Sequence, residues 1–184
     1  MYLFLHRLER VLYRITSISG WVAAVSMAAL ILLVFGNMAA RYLMGFGAVW
    51  LQELEWYILS LSVMTAIAYA MRADEHVRVD IFSSRLNRKG RMWLDMLTMT
   101  LVAVPVAILV LYYTWPFVQT SYVRGERSPN AGGMPWTFLP KAMILLGFFL
   151  ILSESIRKII SVGRRLSFHY RRPANPPRNR NHAA

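Results

Sequence analysis

The chain has 184 residues, 57% of them hydrophobic and 16% charged, with a mean hydropathy of +0.39 and a formal net charge of +12. That balance excludes an ordinary soluble domain and points to a small all-α integral membrane protein. Cysteine is absent, which excludes disulfides, thiolate metal sites and a cysteine nucleophile.

Residues 1–16 place Phe4, Leu8, Val11, Leu12 and Ile15 on one helical face and Arg7, Arg10 and Arg14 on another. The pattern predicts a basic amphipathic helix lying on the membrane surface. The uncharged run from Ile15 to Ala40 that follows exceeds the roughly 7–15 apolar residues of a secretory signal. It reads as a retained first crossing over about 18–40. Gly20, Ala24 and Ala28 recur there every fourth residue, a smooth stripe that a second helix could approach closely. Asn37 and Arg41 stand one turn apart at the far end, and Gly45 and Gly47 lead into a short turn back into the membrane.

The second crossing, about 51–71, has the most distinctive ends. Trp50, Glu53, Glu55, Trp56 and Tyr57 form an aromatic and acidic collar at headgroup level. Trp50 would fix depth, and Glu53 or Glu55 could pair with Arg41. Ser62, Ala66 and Ala70 repeat the small-residue stripe. Arg72, Asp74, Glu75, His76, Arg78 and Asp80 cluster at the other end. Asp80 is expected to cap a short surface helix bearing Val79, Phe82 and Leu86 on one face, which Gly90 ends.

A third crossing is expected over about 93–113, kinked at Pro105, with Tyr112, Tyr113, Trp115 and Phe117 marking its exit. Residues 119–135 include Gly125, Ser128, Pro129, Asn130, Gly132, Gly133 and Pro135, which is turn chemistry. A fourth crossing follows over about 136–156, with Lys141 snorkelling to the surface and Glu154 one turn before Lys158. The domain division is therefore an N-terminal helix (1–16), a four-helix membrane domain (17–160) and a basic, proline-rich tail (161–184) expected to be disordered.

Charge sets the orientation. With four crossings, only Arg41, Arg124, Arg127 and Lys141 of the chain's 21 Lys and Arg fall on one side. The positive-inside rule makes the other side, with both termini, cytoplasmic. The +12 is mostly this topology signal, and the basic tail suits anionic lipid better than nucleic acid, since no aromatic stacking platform accompanies it.

Little in the chain suggests catalysis. The four histidines, His6, His76, His169 and His182, all lie outside the crossings, so no buried axial pair for haem can form. His76 with Asp74, Glu75 and Asp80 offers only one nitrogen ligand and reads as a solvated, turn-organising helix end rather than a metal site. There is no phosphate loop and no Ser/His/Asp constellation. Asn37, Glu53, Glu55, Asp95 and Glu154 sit near crossing ends, whereas a carrier needs polar groups near the midplane. A role beside a larger membrane partner fits better than transport or enzymatic activity by this chain alone. The remaining reading from another class is a stand-alone four-helix membrane protein, a small channel or a redox-chain subunit.

Asn37 with Arg41-Tyr42, Trp50 and Glu53 opening the second crossing, and His76-Val77-Arg78-Val79-Asp80 after it resemble the DctQ-type small membrane subunit of tripartite ATP-independent periplasmic (TRAP) transporters. Ser128, Pro129, Trp136, Pro140 and Lys141 are similar to that family's second outer loop and the start of its fourth crossing, so the likeness runs from about Ile18 to Lys158. The resemblance implies a non-catalytic, cofactor-free, multi-pass subunit of the bacterial inner membrane. It implies as partners a large elevator-type subunit that couples organic-acid uptake to sodium and a periplasmic substrate-binding protein. On this reading Asn37, Arg41, Trp50, Glu53, His76, Asp80 and Lys141 are candidates for the subunit interface or its support. Arg124, Glu126, Arg127, Ser128 and Trp136 are candidates for touching the binding protein.

Overall fold

The computed structural model describes residues 2–73 and 87–171, and every regular element among them is helical. In chain order these are α1 (Tyr2–Met44), α2 (Val49–Arg72), α3 (Arg88–Thr98), a π-helical turn (Met99–Ala103), α4 (Val104–Val123) and α5 (Phe138–Arg171). Among the described residues three helical stretches are long and apolar enough to cross a membrane, His6–Met44, Val49–Arg72 and Gly90–Val123, and α5, where a fourth crossing was expected, is not one of them.

The expected division between a surface helix and a first crossing does not appear. α1 is one continuous helix of 43 residues, about 65 Å long at about 1.5 Å per residue, roughly twice the thickness of a hydrocarbon layer. Its N-terminal part is held by the far end of α5, where Arg164 Nη1 lies 2.9 Å from Glu9 Oε2. Residues expected to begin a disordered tail are helical as far as Arg171. His76, Asp80, the surface helix expected around Val79–Leu86 and the end of the tail lie outside the described residues. Gly90, expected to terminate that surface helix, instead sits in the first turn of α3.

α3, the π turn and α4 run as one rod with Pro105 just after the wide turn. Proline has no N–H for the carbonyl four residues back, and its ring collides with that carbonyl. The π turn is where the chain absorbs this misfit. The helix also continues through Pro116 to Val123, ten residues beyond the expected exit at Tyr113.

α5 is the hub: α1, α2 and the α3–α4 rod all pack on it, while α1 also lies along α2. The interior is polar and small, and the exterior is apolar. Thr16, Ser19, Ser26, Ser62, Thr65, Ser121, Ser153 and Ser155 are buried, whereas Trp21, Leu32, Phe35, Tyr112 and Trp115 are among many large side chains facing outwards. This suits a lipid surround, where helices associate through close packing and hydroxyl hydrogen bonds rather than through the hydrophobic effect. Most buried hydroxyls donate to a carbonyl one turn back, as Ser153 does to Phe149 and Ser155 to Ile151.

The small-residue stripes of α1 and α2 are used for packing only in part. Gly20 does meet α2, since a Cβ there would lie 2.3 Å from the Tyr69 ring, but Ala24 and Ala28 are exposed. The buried positions are Thr16, Ser19, Ala23 and Ser26 on α1 and Ser62, Thr65 and Ala68 on α2; Ser62 Oγ joins the two helices by donating to the Ala23 carbonyl at 3.1 Å, while Thr16 meets Glu154 of α5.

Candidate functional site

Two short connections, residues 45–48 and 124–137, lie at the same end of the bundle, because the second folds onto the start of α2. Gly45, at φ +65°, ends α1 in the left-handed region, and the turn closes with Phe46 N–H donating to the Ala40 carbonyl. α4 ends in a Schellman motif: Gly125, at φ +57°, donates to Tyr122 O at 3.1 Å, and Glu126 N–H donates to Ser121 O at 3.1 Å. That cap aims the next residue, Glu126, back at the helices it has just left.

Glu126 anchors the first cluster. Its carboxylate forms an ion pair with Lys141 of α5 and accepts a hydrogen bond from Ser121 Oγ at 2.6 Å. Lys141 Nζ also donates to Ser121 Oγ at 3.0 Å and lies 4.3 Å from the centre of the Phe117 ring. Thr137 Oγ1 donates to the Glu126 carbonyl at 2.8 Å. The Lys141 ammonium, followed by the Ser121 hydroxyl, holds the Glu126 carboxyl below the usual carboxylate range.

Glu53 anchors the second. Its Oε1 accepts from Ser128 Oγ and from Asn130 Nδ2 at 3.1 Å, and its Oε2 accepts from the backbone N–H of Met134 at 2.6 Å. The loop that wraps this carboxylate is itself cross-tied, with Ser128 N–H donating to Met134 O and Gly133 N–H to Asn130 O. A Cβ at Gly133 would stand 2.5 Å from Ser128 Oγ and 2.7 Å from Glu53 Oε1, so only glycine lets the backbone come this close.

The expected pairing of Arg41 with Glu53 or Glu55 does not form. Glu53 is taken by the loop, Glu55 accepts from Asn37 Nδ2 at 2.7 Å, and Arg41 is exposed. Trp50 is also exposed. Of the five residues expected to touch a partner at this end, Ser128 and Glu126 face inwards as ties, while Arg124, Arg127 and Trp136 are exposed. The structure thus joins residues that the sequence had sorted into different roles, Glu53 with Ser128 and Lys141 with Glu126.

A third cluster, at the opposite end, was not anticipated. Glu154 is completely buried, and Arg157 Nε donates to its two carboxylate oxygens at 3.0 and 2.9 Å while Thr16 Oγ1 donates to Oε2 at 3.0 Å. Beside it Arg72 stacks on Tyr13 at 4.0 Å and donates to Tyr13 Oη at 2.8 Å and to Ser17 Oγ at 2.5 Å. α1, α2 and α5 are therefore locked together at this end. Arg157, three positions on, pairs with the Glu154 carboxylate, a partner that the spacing to Lys158 did not point to. The only sequence signal was an acidic residue among apolar ones at a helix end.

Among the described residues no group of three or more His, Asp or Glu side chains could hold a metal ion. What these three clusters can do is mechanical: each fastens separate helices, or a helix and a loop, through a charged hydrogen-bonded centre.

A family model for the DctQ component of tripartite ATP-independent periplasmic transporters matches residues 30–165, well over half of the chain. The match takes in Glu53, Glu126, Lys141, Glu154 and Arg157. No curated protein matches the chain.

Proposed function

Since the chain belongs to the DctQ components of TRAP transporters, a family of multi-pass membrane subunits, we propose that it is the non-catalytic scaffold partner of a large elevator-type subunit. In this reading α1, α2, the α3–α4 rod and α5 each cross the bacterial inner membrane, the third crossing being the Gly90–Val123 stretch, with both termini cytoplasmic. The chain then enlarges the part of the transporter that stays fixed while another part moves. The large subunit carries an organic acid together with sodium, and a periplasmic binding protein delivers that acid.

The observation that carries this reading is the double fastening of the bundle. Glu53 and Glu126 bind the 124–137 connection to α2 and α5 at one end, and Glu154 binds α1 to α5 at the other. A scaffold must resist shear, and a bundle tied at both ends does so better than one held by apolar contact alone. The outward apolar belt supplies the lipid contact. α5 carries Lys141 near its start and Glu154, Arg157 and Lys158 in its second half; the 12 residues between Lys141 and Glu154 are too few to span by themselves, so a fourth crossing relies on Lys141 snorkelling outwards and on the paired Glu154 and Arg157 lying within the hydrocarbon.

At the periplasmic end Arg124, Arg127 and Trp136 offer the binding protein a cationic and aromatic surface on a fixed loop. Solubilisation in mild detergent should retain a much larger multi-span protein in stoichiometric amount, and co-reconstitution of the two with the binding protein should restore sodium-dependent uptake. A chain that emerges alone and monodisperse would defeat the scaffold reading.

A further inference from the structure

We infer that the cleft between α1 and α2 at the Arg72 end is a binding site for an anionic phospholipid. A groove of about 380 Å³ is lined there by Ser17, Gly20, Trp21, Ala24, Tyr69 and Arg72. It exists because the helices pack through Thr16, Ser19 and Ala23, which leaves the neighbouring Gly20–Ala24–Ala28 strip without side chains large enough to fill the surface. Trp21, 75% exposed, walls the strip on one side, and the Tyr69 ring lies against Gly20. The result is a narrow apolar channel suited to one acyl chain.

The channel ends at a cation. Arg72 is held by Tyr13 and Ser17, both neutral, and no carboxylate pairs with it among the described residues. These contacts orient the guanidinium, and guanidinium matches the paired oxygens of a phosphate diester. Arg14, exposed and seven residues before Trp21, shares that face of α1, and Arg10 lies one turn further out. Apolar channel, interfacial tryptophan and a set of arginines in that order match a phospholipid from tail to headgroup. The inference rests on the membrane placement of α1 and α2 proposed above, not on the identity of the transporter partner.

The test is tryptophan quenching by brominated lipid, using the full chain both alone and in its purified complex, with Trp21→Phe subtracted to isolate Trp21. Brominated phosphatidylglycerol should quench Trp21 at several-fold lower mole fraction than brominated phosphatidylcholine in both samples. Arg72→Gln with Arg14→Gln should abolish that preference, and Ala24→Phe, which fills the channel but spares the arginines, should reduce quenching by phosphatidylglycerol with helicity unchanged. Equal quenching by the two lipids in the wild type would overturn the site. So would displacement by millimolar inorganic phosphate, or quenching present in the free chain and absent in the complex, which would mean that a protein helix fills the groove. Each of these results leaves retention of a large subunit unaffected, so the lipid site and the scaffold reading fail separately.

Discussion

The carboxylate of Glu53 in α2 and the backbone N–H of Met134, eighty-one residues later, are 2.6 Å apart. This bond, with those from Ser128 and Asn130, makes the loop between α4 and α5 an extension of α2 rather than a free connection. Glu53→Ala should leave three donors without their acceptor, so the Met134 amide should exchange with solvent markedly faster while the amides of α2 keep their protection. Gly133→Ala reaches the same contact sterically, and overpacking of this kind costs about 1–3 kcal/mol. Thermal unfolding in detergent and hydrogen exchange of the loop would read both.

How far the sequence foretold this arrangement depends on the scale of the signal. Helical character and the turn-rich connection are written in local composition, so the α2 and loop regions were legible. Continuity of α1 was not, because a charge pattern such as Arg7, Arg10 and Arg14 marks an amphipathic helix without saying whether it bends away from the next segment. The decision is made by Glu9 and Arg164, which meet from opposite ends of the chain. The same holds for the ties. Glu53, Ser128, Glu126 and Lys141 all stood out as polar residues at helix ends, but which carboxylate met which donor depends on the Gly125 cap and the close approach at Gly133.

Packing register is the clearest case of a pattern misread. Gly20, Ala24 and Ala28 look like a helix-contact stripe, yet the contact runs one position away through Ser19, Ala23 and Ser26, where hydroxyls satisfied one turn back take the place of bare alanines. Gly20→Ala should therefore destabilise the α1–α2 pair by about 1–3 kcal/mol through collision with Tyr69, while Ala28→Leu should change stability by less than about 0.5 kcal/mol. If the two substitutions cost the same, the offset register is wrong.

Glu154 makes the heaviest single demand on the fold, as a fully buried carboxylate between Arg157 and Thr16. Glu154→Ala would remove the buried carboxylate from Arg157 and Thr16 and should cost about 3–5 kcal/mol, the usual penalty for removing one partner of a buried pair. Thr16→Val should cost less, about 1–2 kcal/mol, since the ion pair survives it. A double substitution of Glu154 and Arg157 by leucine and methionine should recover much of the loss, and unfolding midpoints of the three variants would show the coupling.

Glu126 gives the 124–137 loop a pH dependence. Its folded-state carboxyl titrates below the unfolded value because of Lys141 and Ser121. A depressed acid contributes stability that is present above its unfolded pKa and lost as pH falls through the folded one. The loop should hold at neutral pH and loosen under acid conditions, below the ordinary carboxylate range near 4.3. Hydrogen exchange of residues 124–137 against pH should show that transition in the wild type, and Glu126→Gln should be loosened already at neutral pH with a smaller acid step, the Glu53 carboxylate being the other tie on the same loop.

The distinction between ties and exposed groups at this end separates assembly from docking. Arg124, Arg127 and Trp136 face outwards, and Arg124 adds only the smallest of the charge effects on the Glu126 carboxyl. Charge reversal of the two arginines together with Trp136→Ala should leave the fold and the retention of the large subunit intact. It should also lower uptake several-fold when the binding protein is limiting, because a docking patch that has lost its cations and its aromatic anchor slows encounter and shortens residence. Reversal at Glu126 is a different experiment. Glu126→Lys would set a second cation against Lys141, release the end of α4 from α5, and depress loop protection along with uptake. Titration of the binding protein against uptake, with loop hydrogen exchange measured on the same preparations, discriminates the two. Uptake unchanged in the Arg124, Arg127 and Trp136 variant at limiting binding protein would remove this surface from the docking mechanism, whatever Glu126→Lys does.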